Sequence, residues 1–355
     1  MSRTLRRVLL GLAAYFALYF ALRGTALMQW VWREVTLPFG QWLGRLCGHV
    51  SLSVGEVLIL TAVWTALIWL ANVIRHLCTR PNRLQTLLNA IGTAVCAAAV
   101  VYALFCALWG GGFGAVTFRQ ESGIAAQLST VAELRQVTDY FARQLTDAAG
   151  DVPRDESGVC ALSRQEILDT AGDAYDPLYD EFPFLDQPVA DVKPFGCSQA
   201  LSVLRFTGFY FPYTGEANVN MDSPAAYFPA TVCHEMAHQR GFTAEEECNF
   251  VGILAATRSN DPCYRYSGWL VGYVHLSNAL YRADYESWQA IRDTLPDTVL
   301  ADLRANSQYW AQFQGAVSQT AQNAYDALLK SIGDNDGVQS YGMVADLLVT
   351  YFKGA

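Results

Sequence analysis

The chain has 355 residues, 52% of them hydrophobic and only 16% charged, with a net charge of −9 at pH 7. That is too apolar for an ordinary soluble enzyme, and it predicts a membrane segment followed by a globular domain. The first 110 residues hold nine of the 24 basic residues and two of the 33 acids, leaving about +7 on that part and about −16 on the remainder; the acidic remainder excludes nucleic acid and adhesion to anionic lipid, which both call for a basic face.

Three stretches reach the roughly 20 apolar residues needed to cross a bilayer: about Val8 to Trp30, Val54 to Ile74 and Leu87 to Trp109. Arg23 falls within the first and is expected to snorkel to the outer interface. Residues 32–53, with Pro38, Gly40 and Gly44, read as an interfacial or re-entrant connection. Arg3, Arg6 and Arg7 precede the first span, and Arg75, Arg80 and Arg83 separate the second from the third. Such basic loops are expected in the cytoplasm, which predicts a multi-pass protein of the cell membrane with a cytoplasmic N-terminus. The bilayer is then its first partner, and residues 111–355 form an extracytoplasmic domain. A removable signal peptide is disfavoured, because no small-residue cleavage site follows the first apolar run and two further spans do.

Gly110-Gly111-Gly112 marks the expected domain boundary. Beyond it, Thr130-x-x-Glu133 and Ser163-x-x-Glu166 are capping boxes opening amphipathic stretches to about Thr146 and Tyr179. Long helical patterns follow over residues 266–295 and 298–332, with a last helix near 338–352. Between them, Arg205 to Met221 alternates aromatic and β-branched residues with turn formers, predicting one or two short strands. The fold class is therefore mainly α, with a short β-hairpin or small sheet. Cys160 and Cys197 could pair in an oxidising exterior, or equally be free thiols. Asp334-Asn335-Asp336-Gly337 lacks the distal glutamate of a calcium loop and reads as a turn.

The segment Cys233-His234-Glu235-Met236-Ala237-His238-Gln239-Arg240-Gly241-Phe242 carries the chemistry. H-E-x-x-H on a helix puts two imidazoles one turn apart, aimed at one metal ion, with the intervening glutamate free to act as general base. Pro229 suits a first turn, so a helix of about 229–239 would hold both histidines, and Gly241 offers a left-handed stop. Thr243 with Glu246 is a capping box that would open a second helix at a tight corner. Cys233, next to His234, points about 100° away around the helix and is expected in the core. A catalytic zinc wants a third protein ligand and an open fourth position. Glu245 shares a helical face with the small residues Gly252 and Ala256, and is favoured as third ligand; Glu247 is the runner-up. The competing reading is that Glu245, Glu246 and Glu247 merely complement the helix dipole. A third histidine of the metzincin type would fall at Ala244, which disfavours that class.

At these residues the chain resembles a known family. Residues 211–220, His234 to Phe242, Glu245-Glu246-Glu247-Cys248-Asn249-Phe250, Arg265-Tyr266-Ser267-Gly268 and residues 337–342 look like the bacterial membrane proteins grouped as domain of unknown function 3810. The resemblance implies a zinc metallopeptidase behind a membrane anchor, with a zincin-like, gluzincin-like domain. Glu245-x-x-Cys248-Asn249 is similar to the E-x-x-A-D/N helix of gluzincins, whose first glutamate binds zinc, with Cys248 replacing alanine.

The expected chemistry is metal-assisted hydrolysis of a peptide or protein: one Zn2+ on His234, His238 and Glu245, with Glu235 as general base. Glu216, Asn218 and Asn220 are candidates to line the substrate cleft, or to hydrogen-bond their own turn. For the oxyanion the candidates are His275, Tyr264, Tyr266 and Arg265, and spacing does not select among them. In zincin-like peptidases the strand upstream of the metal helix pairs with an extended substrate; a plain structural hairpin is the alternative here. A second function class is a membrane sensor or peptide-binding scaffold that uses zinc without cutting. A transporter is a third, for which Arg23 alone offers little pathway. The oligomeric state has no signature in the sequence.

Overall fold

In the computed structural model of the protein, the apolar N-terminal part forms α1 (Arg3–Leu22), α2 (Ala26–Val31), a π-helical turn (Trp32–Thr36), α3 (Leu37–Gly48), α4 (Val54–Thr79) and α5 (Arg83–Leu108). The residues described are 3–115, 117–124, 126–332 and 341–354. Two helices, α4 and α5, are long and apolar enough to cross a membrane on their own. The expected first span at about 8–30 is not one helix. The chain breaks at Arg23-Gly24-Thr25, where Gly24 is left-handed (φ 75°) and Thr25 caps α2 by accepting from the Met28 amide. Across that break the path turns by 103°, so a third span exists only if the bent pair is counted as one.

Helix α1 runs alongside α5 in the same direction: the Tyr15 hydroxyl donates to the Ala103 carbonyl at 3.0 Å, and Phe16 packs on Tyr102 at 5.5 Å. The N-terminal ends of α1 and α5 and the C-terminal end of α4 therefore lie together, which gathers Arg6, Arg7, Arg75, Arg80 and Arg83 at one end of the bundle. The rest of the chain packs on the opposite end, where α4 begins and α5 finishes. Helix α3 lies across that junction, burying Gly40, Gln41 and Gly44 while leaving Phe39, Trp42 and Leu46 exposed.

After a 3-10 turn (Gly110–Gly114) come α6 (Phe118–Ser122), α7 (Val131–Ala148), α8 (Arg164–Asp169) and a 3-10 stretch (Ala171–Leu178). The strands β1 (Lys193–Phe195), β2 (Gly208–Phe211) and β3 (Glu216–Asn220) surround α9 (Ser198–Leu204), and α10 (Phe228–Gln239) and α11 (Glu245–Arg258) follow. The chain closes with α12 (Pro262–Ala283), α13 (Tyr285–Arg292), α14 (Asp297–Ala311), α15 (Ala316–Ile332) and α16 (Tyr341–Phe352). The Thr130 box is complete, whereas Ser163 receives only the Glu166 amide, and its helix gives way to 3-10 geometry containing Pro177 well before Tyr179. The long patterns each divide: Asp284 ends α12 and caps α13, and α14 ends at Ala311 before Ala316 opens α15. The expected turn at residues 334–337 lies outside the described residues. All nine cysteines are free; Cys160 is buried and Cys197 exposed.

The sheet has the order β1-β3-β2, with β3 parallel to β1 and antiparallel to β2. Strand β3 is buried along its whole length, and β2 is an edge. At the start of β3, the Glu216 carboxylate accepts from the Val54 and Gly55 amides of the α4 N-terminus at 3.1 and 2.7 Å and from Lys193 Nζ at 2.7 Å. Lys193 Nζ also donates to the Cys47 and Leu52 carbonyls. A helix N-terminus has unpaired amides and a partial positive charge, so a carboxylate there is well placed. Beside it, Glu56 accepts from the Gly196 and Cys197 amides at 2.7 and 2.8 Å. These contacts bolt the sheet to the first turn of α4.

Burial pushes the Glu216 pKa up, but the Lys193 ammonium and the surrounding donors outweigh it and hold the carboxyl below its ordinary value. A lowered folded-state pKa gives stability that is complete above the unfolded value and is lost as pH falls through the folded one. Glu216→Gln should strand the buried Lys193 charge and cost about 3–5 kcal/mol. Thermal unfolding in detergent should show this loss, partial recovery on adding Lys193→Met, and a smaller fall of unfolding temperature on acidification than in the parent.

Candidate metal centre

Helix α10 starts at Phe228 with Pro229 in its first turn and ends where Gly241 turns left-handed at φ 98°. His234 and His238 thus share one face, with ring centroids 4.9 Å apart and planes at 87°. The chain then reverses into α11, whose first residue is Glu245. Its N-cap is Ala244, without a side-chain cap, so the expected Thr243/Glu246 box does not form. Thr243 is buried, its methyl group lying against Gly112, and Glu246 faces Arg119 at 3.5 Å.

Glu245 Oε2 lies 3.3 Å from His234 Nε2, and Oε1 lies 3.8 Å from His238 Nε2. The three ligand atoms are all within 4.8 Å of one another. Donors around a tetrahedral zinc at about 2.0–2.2 Å are about 3.3–3.6 Å apart, so small side-chain adjustments suffice to close on an ion. The His238 ring is already set for this. Its Nδ1 donates to the Phe242 carbonyl at 2.9 Å, which leaves the Nε2 lone pair facing the other two donors. Cys248 Sγ sits 3.2 Å from the same Nδ1, so this cysteine supports the ring from behind rather than joining the ligand set. Cys233 is fully buried.

Gly252 permits the meeting of the two helices. A Cβ there would lie 2.8 Å from the His234 nitrogen and 2.9 Å from its Cα. Backbone cannot yield as a side chain can, so α11 can lie this close to α10 only with glycine at that position. Glu247 points the other way: it accepts from the Phe118 amide at 2.9 Å and from Arg119 Nε at 3.0 Å, holding α6 to α11. The runner-up ligand is therefore a structural carboxylate.

Glu235 is buried, and its Oε2 has no hydrogen-bond partner among the described residues. Across from it lies β2, so close that a Cβ on Gly208 would come within 2.6 Å of Glu235 Oε1. Burial pushes the Glu235 carboxyl up to about 8, with His234 pulling down and Glu245 adding to the rise. Burial likewise pushes His238 down to about 4. For Glu245 burial works upward, but the bond from His234 and the imidazole charges prevail and hold it at about 2. For His234 burial works downward, and the Glu245 bond with the two carboxylate charges raises it overall. The cluster is thus a buried set of donor atoms with one carboxyl oxygen unpaired among the described residues, which suits a bound cation.

A cavity of about 460 Å³ opens on this cluster. His275 lines it, and burial pushes that ring down to about 4. The other sequence candidates lie elsewhere. The Tyr264 hydroxyl donates to the Ile167 carbonyl, Arg265 to the Ser259 and Asn260 carbonyls, and Tyr266 to Asp302. Glu216, Asn218 and Asn220 do not line the cavity either: Glu216 is the bolt to α4, Asn218 donates to the Glu216 carbonyl, and Asn220 donates to Ser202 and the Phe206 carbonyl. Among the lining residues that the sequence does not single out, Tyr325 touches the cluster itself. The Tyr325 hydroxyl of α15 donates to Glu245 Oε1 at 2.5 Å, and no local pattern connects two residues 80 positions apart.

A family model described as protein of unknown function (DUF3810) matches residues 34–349. No curated protein and no solved structure matches the chain.

Gly252→Ala should force α10 and α11 apart. Such overpacking costs about 1–3 kcal/mol, and a lower unfolding temperature of the purified protein would register it. An unchanged temperature would show that the two backbones are not in contact.

Proposed function

The chain belongs to the DUF3810 family, and we propose that it is a membrane-anchored zinc metallopeptidase working at His234, His238, Glu245 and Glu235. The observation that carries this reading is the convergence of two imidazoles and a carboxylate within 4.8 Å, beside a buried glutamate with an oxygen unpartnered among the described residues. Zinc, when bound, supplies Lewis acidity toward a carbonyl oxygen and makes a water molecule more acidic. Glu235 would accept a proton from the attacking water and pass it to the leaving amine. Strand β2 offers its open edge on the cavity side, through Gly208, Phe209 and Tyr210, where an extended peptide can add by main-chain hydrogen bonds.

A non-cutting zinc scaffold would usually close its metal with four protein ligands and needs no base. Three converging donors plus Glu235 favour hydrolysis. The arginines gathered at the far end of the bundle favour a cytoplasmic N-terminus and an extracytoplasmic site.

The test is to purify the chain in detergent, measure bound zinc, and compare peptide cleavage with that of Glu235→Gln. The variant should keep its zinc and lose about 10²–10⁴-fold in rate, and equal activity would remove the proposed base. Among the ligands, Glu245→Gln should lose zinc, whereas Glu247→Gln should keep it and instead unfold at lower temperature.

A further inference from the structure

The walls of the cavity are drawn from both parts of the molecule. Strand β2 forms one side, and the last turn of α5 reaches the cluster itself: the Trp109 ring lies 5.6 Å from His238 and 4.6 Å from Tyr210. Phe105 lines the same cavity one turn earlier, and Leu328 and Leu329 of α15 add to the apolar side. Tyr213, in the turn after β2, donates to the Val101 carbonyl of α5 at 3.0 Å. The site is therefore set on the end of an apolar helix 26 residues long.

The outer face of that helix stays apolar almost to the site. Val101 and Leu104 are exposed, as are Val57 and Leu58 at the matching end of α4 and Phe39, Trp42 and Leu46 on α3. Isolated apolar side chains on a surface need no account, but a continuous band on neighbouring helices fits hydrocarbon. Leu104 and Trp109 are five residues apart, a rise of about 8 Å along a helix. A peptide bond held at the metal centre therefore sits within about 10 Å of the level where lipid-facing side chains end.

We infer that the substrate is a segment of a membrane-anchored polypeptide at the point where it leaves the bilayer, held extended along β2 with apolar side chains against Phe105, Trp109 and Leu328. This rests on the peptidase reading above. A soluble chain would have to approach across the headgroups, whereas a segment emerging from the bilayer beside α5 meets the cavity directly and is confined near it.

The experiment uses the full chain, loaded with zinc, in phosphatidylcholine vesicles. The probe is a mixed-sequence polar tail of about 30 residues on an apolar anchor helix of about 20 residues, prepared in both chain directions and also free of the anchor. Cut positions are mapped by mass spectrometry with the parent and with Glu235→Gln. Confinement alone speeds any tethered reaction, so position is the discriminating readout. Cuts should fall in the first ten or so residues beyond the anchor, a reach of about 35 Å, and the free tail should be cut at least about tenfold more slowly at equal bulk concentration. Cuts confined to the distal half of the tail, or equal cleavage of the free tail, would overturn the inference and leave the peptidase intact. Absence of Glu235-dependent cleavage of every probe, with zinc retained, would overturn both.

Discussion

Everything at the site depends on how closely α11 can approach α10. The H-E-x-x-H spacing fixes two donors on one helix, but the third must come from another element, and side-chain reach is short. Gly252 removes the obstacle at the level of His234, where any Cβ would strike backbone. Glu245 then arrives on the same face, three to four ångströms from both imidazoles. The supporting contacts serve this approach. The Tyr175 hydroxyl donates to the Cys233 carbonyl at 2.7 Å, Arg240 stacks 3.8 Å over Tyr175 and donates to the Met236 carbonyl, and Glu247 ties α6 to α11. Each of these groups is polar and at least partly buried, and each has its partner, so the corner between the helices has few other arrangements available.

Much of this corner was legible because it is local. A two-histidine spacing, a proline in the first turn, a left-handed glycine and a small-residue stripe are written within 30 residues, and they required no knowledge of the rest of the chain. The Thr243 box misled because its pattern describes an isolated helix. In the folded chain Thr243 is taken up by packing on Gly112, and the helix opens one residue later. The polar alternation of Glu216, Asn218 and Asn220 misled for a related reason. A strand with one polar face reads as facing a cleft, but β3 is the middle strand, flanked on one side by a three-residue β1 too short to see in the sequence. The Glu216 carboxylate and the amide nitrogens of Asn218 and Asn220 are consequently spent on internal partners. Tyr325 was invisible because contact across 80 residues leaves no spacing signal. The first membrane stretch shows the limit of composition: hydropathy counts residues and is blind to the direction of the chain, so a three-residue break that turns the path by 103° left it unchanged.

The position of β2 joins these two levels of organisation. Its Gly208 carbon lies against the Glu235 carboxyl, its Tyr210 ring lies on Trp109, and its partner β3 is bolted through Glu216 to the first turn of α4. The strand proposed to receive a substrate is thus held to α5 through Trp109 and to α4 through β3, while the Glu235 it faces belongs to α10. A shift of α5 along its axis moves the Trp109 wall, and a tilt of α4 moves β3 and with it the β2 edge. The spacing between the β2 edge and Glu235 is therefore set partly by how the helix hairpin is packed. In this arrangement the end of α5 is part of the site's wall, and the cleft cannot be separated from that helix without losing one of its sides.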